Sequence, residues 1–156
     1  MVLIERASKS DFEHICALDE TILGSRRRRP AIARAFAEGR VAVARVDGVV
    51  RGYVITDTSF FDQGFVRLLL VHPDYRRRGL ATALMRAAEL DCETDKLFTS
   101  TNQSNLAMQA LCDRLGYQRS GIVDNLDEGD PELIYVKRLT PGPRDAAARP
   151  PDDDVE

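Results

Sequence analysis

The residues of this sequence best suited to chemistry form a short loop of three arginines and one glycine, Arg76-Arg-Arg-Gly79. The almost unbroken apolar run 65–71 precedes the loop and is typical of a strand covered on both faces. Pro73 ends that strand because it cannot donate to a sheet, and from Leu80 onwards apolar residues recur at helical spacing. A loop at the start of a helix presents unpaired backbone N–H groups at the positive end of the helix dipole. The pattern therefore predicts a phosphate-binding site.

The composition of the loop excludes two common classes of phosphate site. No Gly-Lys-Ser or Gly-Lys-Thr follows it, so it is not a P-loop, and a single glycine does not make the dinucleotide-binding fingerprint. What remains is Arg76-x-x-Gly79-x-Ala81, preceded by a Val-x-Pro turn. This pattern resembles the acetyl-CoA-binding motif of the GCN5-related N-acetyltransferase (GNAT) family. In that family, the loop amides hold the pyrophosphate of coenzyme A.

A second segment is similar to another motif of the same family. Residues 105–117, Asn-Leu-Ala-Met-Gln-Ala-Leu-Cys-Asp-Arg-Leu-Gly-Tyr, resemble the family pattern Asn-x-x-Ala-x-x-Leu-Tyr-x-x-x-Gly-Phe. Both motifs occur in the family's order and at the expected elements. The chain is therefore identified as a member of the GNAT family, and the resemblance covers almost all of residues 2–139.

The predicted elements follow one another as strand, two helices, three strands, helix, strand, helix and two strands. Strands are expected at residues 2–6, 41–46, 49–56, 65–71, 96–100, 117–123 and 133–139. The Asp47-Gly48 dipeptide predicts a tight hairpin, and residues 60–64 predict a second turn. The resemblance implies the α/β (α+β) acyl-CoA N-acyltransferase fold: a mixed, mostly antiparallel central sheet of about seven strands flanked by four helices. Residues 1–139 are expected to form this domain, and the Pro-, Ala- and Asp-rich tail 140–156 is predicted to be disordered.

The resemblance assigns the cofactor site to the end of the fourth strand and the loop after it. Strand backbone groups are expected to contact acetyl-CoA, and loop amides to bind its pyrophosphate, with Gly79 permitting close approach. The arginine side chains are expected to add positive charge near the adenosine 3′-phosphate, with at least one of the three expected to be solvated only. Asn105 is similar to a family asparagine that binds the cofactor, and it is equally suited to cap a helix. The expected cofactor-binding residues are Leu69, Leu70, Val71, Arg76, Arg77, Arg78, Gly79, Leu80, Ala81, Thr82 and Asn105.

Transfer of an acetyl group from a thioester to an amine needs an oxyanion donor, an acid for the leaving thiolate and a base for the amine. The resemblance assigns the oxyanion donor to the amide of Val71. Cys112 stands where the family usually has a tyrosine that acts as the general acid, so Cys112 is the candidate acid. The alternative is that Cys112 is an ordinary core residue. Glu128 and Glu132 belong to an acidic loop that borders the acceptor side in this fold, and they are the candidate bases. The alternative bases are Asp19, Glu20, Asp127 and Asp130.

The acceptor is expected to be a primary amine on a small molecule or a peptide. Family members that acetylate protein N-termini often have a glutamate at the position of Ser100, so the hydroxyl here does not favour that substrate class. A catalytically idle acyl-CoA-binding regulatory module is the alternative function. Homodimers are common in the family, so a homodimer is a possible assembly.

The whole-chain composition limits the remaining partners. With 156 residues and a net charge of −3, the chain is typical of one globular domain that is not drawn to nucleic acid or anionic membranes. Three widely spaced cysteines and two histidines favour free thiols in the cytoplasm over a disulfide framework or a metal site. No apolar segment is long enough for a signal peptide or a membrane span. The four arginines at 26–29 are interpreted as a solvated charge run, with a nucleic-acid contact as the alternative.

Overall fold

The computed structural model describes residues 1–139, and the tail 140–156, predicted to be disordered, lies outside the described residues. The predicted order of elements is confirmed. The strands are β1 (Val2–Arg6), β2 (Val41–Val46), β3 (Val49–Phe60), β4 (Gln63–Val71), β5 (Lys96–Asn102), β6 (Gln118–Val123) and β7 (Glu132–Arg138). The helices are α1 (Phe12–Leu23), α2 (Arg29–Ala37), α3 (Leu80–Asp91) and α4 (Leu106–Leu115). Within this part of the chain, no helix is both long and apolar enough to cross a membrane.

The seven strands form one mixed sheet in the order β1-β2-β3-β4-β5-β7-β6. Every neighbouring pair is antiparallel except β4 and β5, which run parallel. Strand β4 is therefore the last of an antiparallel meander and also the start of a β-α-β crossover through α3. A parallel pair needs such a crossover connection, so the position of α3 follows from this topology.

Two apolar clusters cover the two faces of the sheet. One cluster lies under α3 and α4, and the other lies under α1 and α2. Alternate residues of β4 enter different clusters: Val66 and Val71 belong to the first, whereas Leu68 and Leu70 pack against the second. The strand is covered on both faces, as its apolar run predicted, because side chains alternate across a sheet.

The hairpins show where local signals succeed and where they fail. Asp47 and Gly48 form the predicted tight turn, with φ of 50° and 84°. Strand β3 extends four residues beyond the predicted end at Thr56, and the second turn contracts to Phe61 and Asp62 at φ of 52° and 61°. A two-residue turn with positive φ matches the twist of a hairpin, but Phe-Asp lacks the Asn-Gly or Asp-Gly signal that would have predicted it.

Candidate active site

The parallel pair of strands is joined over only three rows. Gly64, Phe65 and Val66 of β4 lie opposite Leu97, Phe98 and Thr99 of β5. At the last row, the Thr99 hydroxyl donates to the carbonyl oxygen of Val66 (3.3 Å). Beyond this row β4 continues to Val71, and β5 continues to Asn102 with β7 as its partner. The two strands therefore separate, and the gap between them widens towards the N-terminus of α3.

A β-bulge on β4 lies where the strands separate. Ile55 of β3 pairs with Leu68 and Thr56 pairs with Val66, so Arg67 is an extra residue on β4. A bulge bends its strand and increases the local twist. Arg67 follows directly after the last residue paired with β5, so the bend coincides with the beginning of the gap.

Backbone N–H groups of β4 point into this gap. The His72 amide donates to the carbonyl of Arg51 on β3 (2.7 Å). Because successive residues of a strand direct their N–H groups to opposite sides, the amides of Leu69 and Val71 point away from β3, towards the gap. The carbonyl of Val71 also points there, and it accepts from Nε of Arg76 (3.3 Å).

The loop between β4 and α3 is built by tight turns. Pro73 begins a 3₁₀ turn that ends at Tyr75, and the ring Nδ1 of His72 accepts from the Asp74 amide (3.1 Å). Arg77 and Gly79 adopt left-handed conformations with φ of 62° and 81°. A Cβ placed on Gly79 would meet no atom of another residue within 4 Å, so the backbone there is open to a ligand.

The start of α3 supplies a row of hydrogen-bond donors. The Ala83 amide donates to the Gly79 carbonyl (3.0 Å). The amides from Gly79 to Thr82 precede this bond and have no intrahelical carbonyl partner, as at the start of any helix. Leu80 is buried beneath them and anchors the helix against the sheet. These donors and the positive helix terminus favour a phosphate group at the open end of the gap.

Helix α4 borders the other side of the gap. The Asn105 side chain caps α4, with Oδ1 accepting from the Met108 amide (3.1 Å), which leaves its NH₂ group as a donor. Cys112 is fully buried in the cluster under α3 and α4. Burial, with a smaller effect of Asp113, raises the pKa of the Cys112 thiol to about 12. A thiol with this pKa is neutral at physiological pH and is a weak acid.

The acidic loop before β7 is partly committed to structural hydrogen bonds. Asn102 donates to the Asp127 carboxylate (2.9 Å), and the Ser104 amide donates to Asp130 (2.9 Å). Glu128 is exposed, and Glu132 pairs with Asn102 across β7 and β5. The carboxylates of Glu128 and Glu132 have no hydrogen bond or ion pair within residues 1–139, so no structural contact of the described residues occupies them.

The alternative acids on α1 already have partners. Asp19 is buried and accepts from the Tyr53 hydroxyl (2.8 Å) and from Arg28 (3.2 Å). Glu20 forms an ion pair with Arg26 (3.0 Å). Within residues 1–139, no cluster of three His, Cys, Asp or Glu side chains is arranged to hold a metal ion.

Comparison with known proteins decides the family. The model of the acetyltransferase (GNAT) family matches residues 5–117 of this chain. The chain belongs to the GNAT family. The matched range of this GNAT protein includes β4, the Arg-x-x-Gly-x-Ala loop and α3.

Two solved structures and one curated relative illustrate the similarity. A GNAT-family acetyltransferase from Bacillus cereus ATCC 10987 is 39% identical, with a TM-score of 0.87, and the alignment covers 90% of this chain and 99% of that one. YncA from Salmonella typhimurium, solved with its cofactor acetyl-CoA, is 18% identical, with a TM-score of 0.75 and coverage of 91% and 96%, which shows a shared fold alone. A mycothiol acetyltransferase from Salinispora arenicola (strain CNS-205) is 32% identical over 73% of this chain. The chain spans 12% and 37% of the lengths of the curated relatives it matches.

The structure shows that Arg51 of β3 contacts the loop between β4 and α3, which sequence reasoning missed. The Tyr75 ring lies between two guanidinium groups, with Arg51 at 4.5 Å and Arg78 at 4.9 Å from its centroid. Such cation–π contacts stabilise the packing of the loop on β3. Nε of Arg51 is buried and has no hydrogen-bond partner within residues 1–139. No signal in the sequence connects Arg51 with a loop 25 residues away, because the contact depends on the β3–β4 register.

Proposed function

We propose that this protein transfers the acetyl group of acetyl-CoA to a primary amine, on a small molecule or a peptide, by direct attack of the amine on the thioester. The observation that carries the proposal is the gap between β4 and β5, which has unpaired strand amides along one side and the N-terminus of α3 at its open end. Membership of an acetyltransferase family and the Bacillus cereus structure support the same chemistry. An intracellular location in the cytoplasm and a homodimer stay predictions.

We assign groups of the described residues to the pantetheine arm, the pyrophosphate and the terminal phosphate of acetyl-CoA. Main-chain groups of Leu69, Leu70 and Val71 would hold the pantetheine arm, and amides from Gly79 to Thr82 would hold the pyrophosphate. The arginines at 76–78 would add charge around the terminal phosphate, and the free NH₂ group of Asn105 would donate to the cofactor from α4. Gly79 permits the approach because no side chain stands between its backbone and the ligand.

Acetyl-CoA supplies an activated thioester, and the protein supplies the electrostatics. The Val71 amide points into the gap, so it is placed to donate to the thioester carbonyl oxygen as negative charge develops there. A backbone donor of this kind contributes about 100-fold to 1000-fold in rate. Its orientation is fixed by the pairing of β4 with β3, so it needs no reorganisation during the reaction.

We assign removal of the amine proton to Glu128 or Glu132, directly or through water. An alkyl ammonium is almost fully protonated at neutral pH, so a base must act before attack. Glu128→Gln or Glu132→Gln is expected to lower kcat or raise KM at pH 7, measured with a confirmed amine substrate. Glu93→Gln, at the far end of α3, is the matched control. Unchanged kinetics in the double variant would move the base to α1 or to water alone.

The departing thiolate takes a proton from Cys112 or from solvent. The pKa of about 12 makes the Cys112 thiol a weak donor, although it stays protonated at all working pH values. Cys112→Ala and Cys112→Ser decide between the two sources. A tenfold or larger fall in kcat in Cys112→Ala, with acetyl-CoA binding intact, assigns the proton to Cys112, and an unchanged kcat assigns it to solvent.

The deciding experiment measures free thiol released from acetyl-CoA in the presence of a panel of primary amines, with acetyl-CoA affinity measured separately by calorimetry. Amine-dependent thiol release supports the proposed transferase. Tight acetyl-CoA binding without release for any amine would instead support an idle acyl-CoA-binding regulatory module.

A further inference from the structure

A cavity of about 330 Å³ lies on the face of the sheet opposite α3. Ile55 and Leu68, which pack with the cluster under α1 and α2, form part of its wall. The charged lining residues are Arg34, Glu38, Arg40, Asp57 and Arg67. A second cavity of about 390 Å³ lies at the other end of β4 from the phosphate loop, beside Gly64 and Cys92.

The acids of the first cavity are already neutralised by arginines. Asp57 pairs with Arg67 (3.3 Å) and lies 3.7 Å from Arg40, which also binds Glu38 (2.6 Å). Burial opposes ionisation of Asp57, but hydrogen bonds from Ser59 and Arg67 outweigh it and hold the pKa of the carboxyl below its usual value. Asp57 therefore stays ionised at neutral pH and cannot serve as a proton donor there.

The arginines of this cavity exceed its acids by one. Arg40 has the most partners, because it donates to Glu38 and to the Thr56 carbonyl (2.8 Å) and lies near Asp57. Arg67 is half exposed and binds Asp57 through a single nitrogen. Arg34 has no side-chain hydrogen bond or ion pair within residues 1–139. Among the arginines of the cavity, Arg34 and Arg67 thus have the most free donors, and they lie beside an apolar wall.

The cavity extends to the foot of the gap between β4 and β5. Arg67 is the bulged residue at the foot of the gap, and Leu68 is the next residue along β4. The amide of Val71, the assigned oxyanion donor, is four residues from Arg67, a distance of about 13 Å along a strand. If acetyl-CoA occupies the gap from the side of α3, the acceptor must approach the thioester carbonyl from another direction. This cavity lies on the opposite face of the sheet and offers such an approach.

We propose that this cavity binds the acetyl acceptor through an anionic group, a carboxylate or a phosphate, held by Arg34 and Arg67. The acceptor is then a small amine whose nitrogen is separated from its anionic group by an aliphatic segment that lies against Ile55 and Leu68 and spans no more than the about 13 Å of strand between Arg67 and Val71. Arginine suits both anions because its planar group donates two parallel hydrogen bonds. The assignment rests on the proposed acetyltransferase activity and specifies its substrate class.

Matched acceptor pairs test the proposal. Thiol release is measured with 4-aminobutanoate, 6-aminohexanoate and 8-aminooctanoate, each against the amino alcohol of the same chain length, and with O-phosphoethanolamine against ethanolamine. Each anionic amine is expected to have a kcat/KM about tenfold or more above that of its neutral partner. The carboxylate and phosphate arms show which anion the cavity prefers. Equal kcat/KM values within every pair would overturn the proposal while leaving the transferase activity intact.

Arginine variants then locate the effect. Arg34→Gln is expected to abolish the preference for the anionic member of each pair, with acetyl-CoA affinity unchanged. Arg114→Gln, an exposed arginine of α4 on the other face, is the control. Arg67→Gln repeats the test at the bulge, where Asp57 keeps Arg40 as a partner. A preference that survives both Arg34→Gln and Arg67→Gln would place the anion elsewhere. If no amine in the panel causes thiol release, the transferase activity itself is refuted.

Discussion

Residues 26–29 and residues 76–78 are both runs of arginine, but they lie in opposite electrostatic surroundings. In the first run, three side chains form ion pairs with acids of α1: Arg26 with Glu20, Arg28 with Asp19 and Arg29 with Glu13. In the second run, no side chain pairs with a carboxylate of residues 1–139. Arg76 donates to a backbone carbonyl, and Arg78 lies over the Tyr75 ring.

The difference comes from the element that faces each run. Residues 26–29 pack along α1, which carries several acids, whereas residues 76–78 precede α3, whose first turn has no acidic residue. Positive charge is available to an anionic ligand only where no carboxylate already neutralises it. The first run therefore stabilises the fold, and Arg27 is its one arginine without an ion pair in the described chain, which weakens the case for nucleic-acid binding. The second run adds its charge to a helix N-terminus and suits a phosphate ligand.

The strongest test of the second region removes its open backbone. Gly79→Val is expected to weaken acetyl-CoA binding about 100-fold or more, because a β-branched residue is strained at φ of 81° and places a side chain where the phosphate must approach. Calorimetry measures the affinity. Gly24→Val is the matched control, since Gly24 has φ of 77° and equally open surroundings at the end of α1. Normal binding by Gly79→Val would show that the loop amides do not hold the cofactor.

The first region is expected to control stability instead. Arg28→Ala leaves the buried Asp19 carboxylate with the Tyr53 hydroxyl as its remaining partner, so the free energy of unfolding should fall by about 1–3 kcal/mol in urea titrations. Arg26→Ala breaks an exposed pair and should cost less than about 1 kcal/mol. Acetyl-CoA affinity should stay unchanged in both variants. A loss of affinity in Arg28→Ala at full stability would contradict the division between the two runs.

The smallest expected effect on acetyl-CoA affinity is tested by replacing one exposed arginine from each run. Arg77→Ala is expected to weaken acetyl-CoA binding by no more than about fivefold, because the charge is exposed and screened, and the loss should shrink further as salt is raised. Arg27→Ala should have no effect on affinity at any salt concentration. If Arg77→Ala weakens binding more than Gly79→Val does, arginine charge rather than backbone amides holds the cofactor.

Local rules were sufficient for the order of elements and for the strand-turn-helix conformation around residues 72–80. The Asp47-Gly48 turn and the end of β4 before Pro73 were predicted because each depends on the conformational preferences of a few adjacent residues. Asn105 shows the limit of such rules. It caps α4 as its type allows, and its predicted contact with the cofactor stays a prediction, as do the other assigned site residues.

The sequence by itself determined that a strand, an arginine loop and a helix would follow one another, because these signals are short-range. The tertiary structure alone decided where β4 leaves β5, which arginines keep free charge, and that Arg51 packs on Tyr75. These features depend on contacts between residues 24 or more positions apart, such as Val66 with Thr99 and Arg51 with Tyr75. No local preference encodes such a pairing, since it arises only when whole strands align in one register.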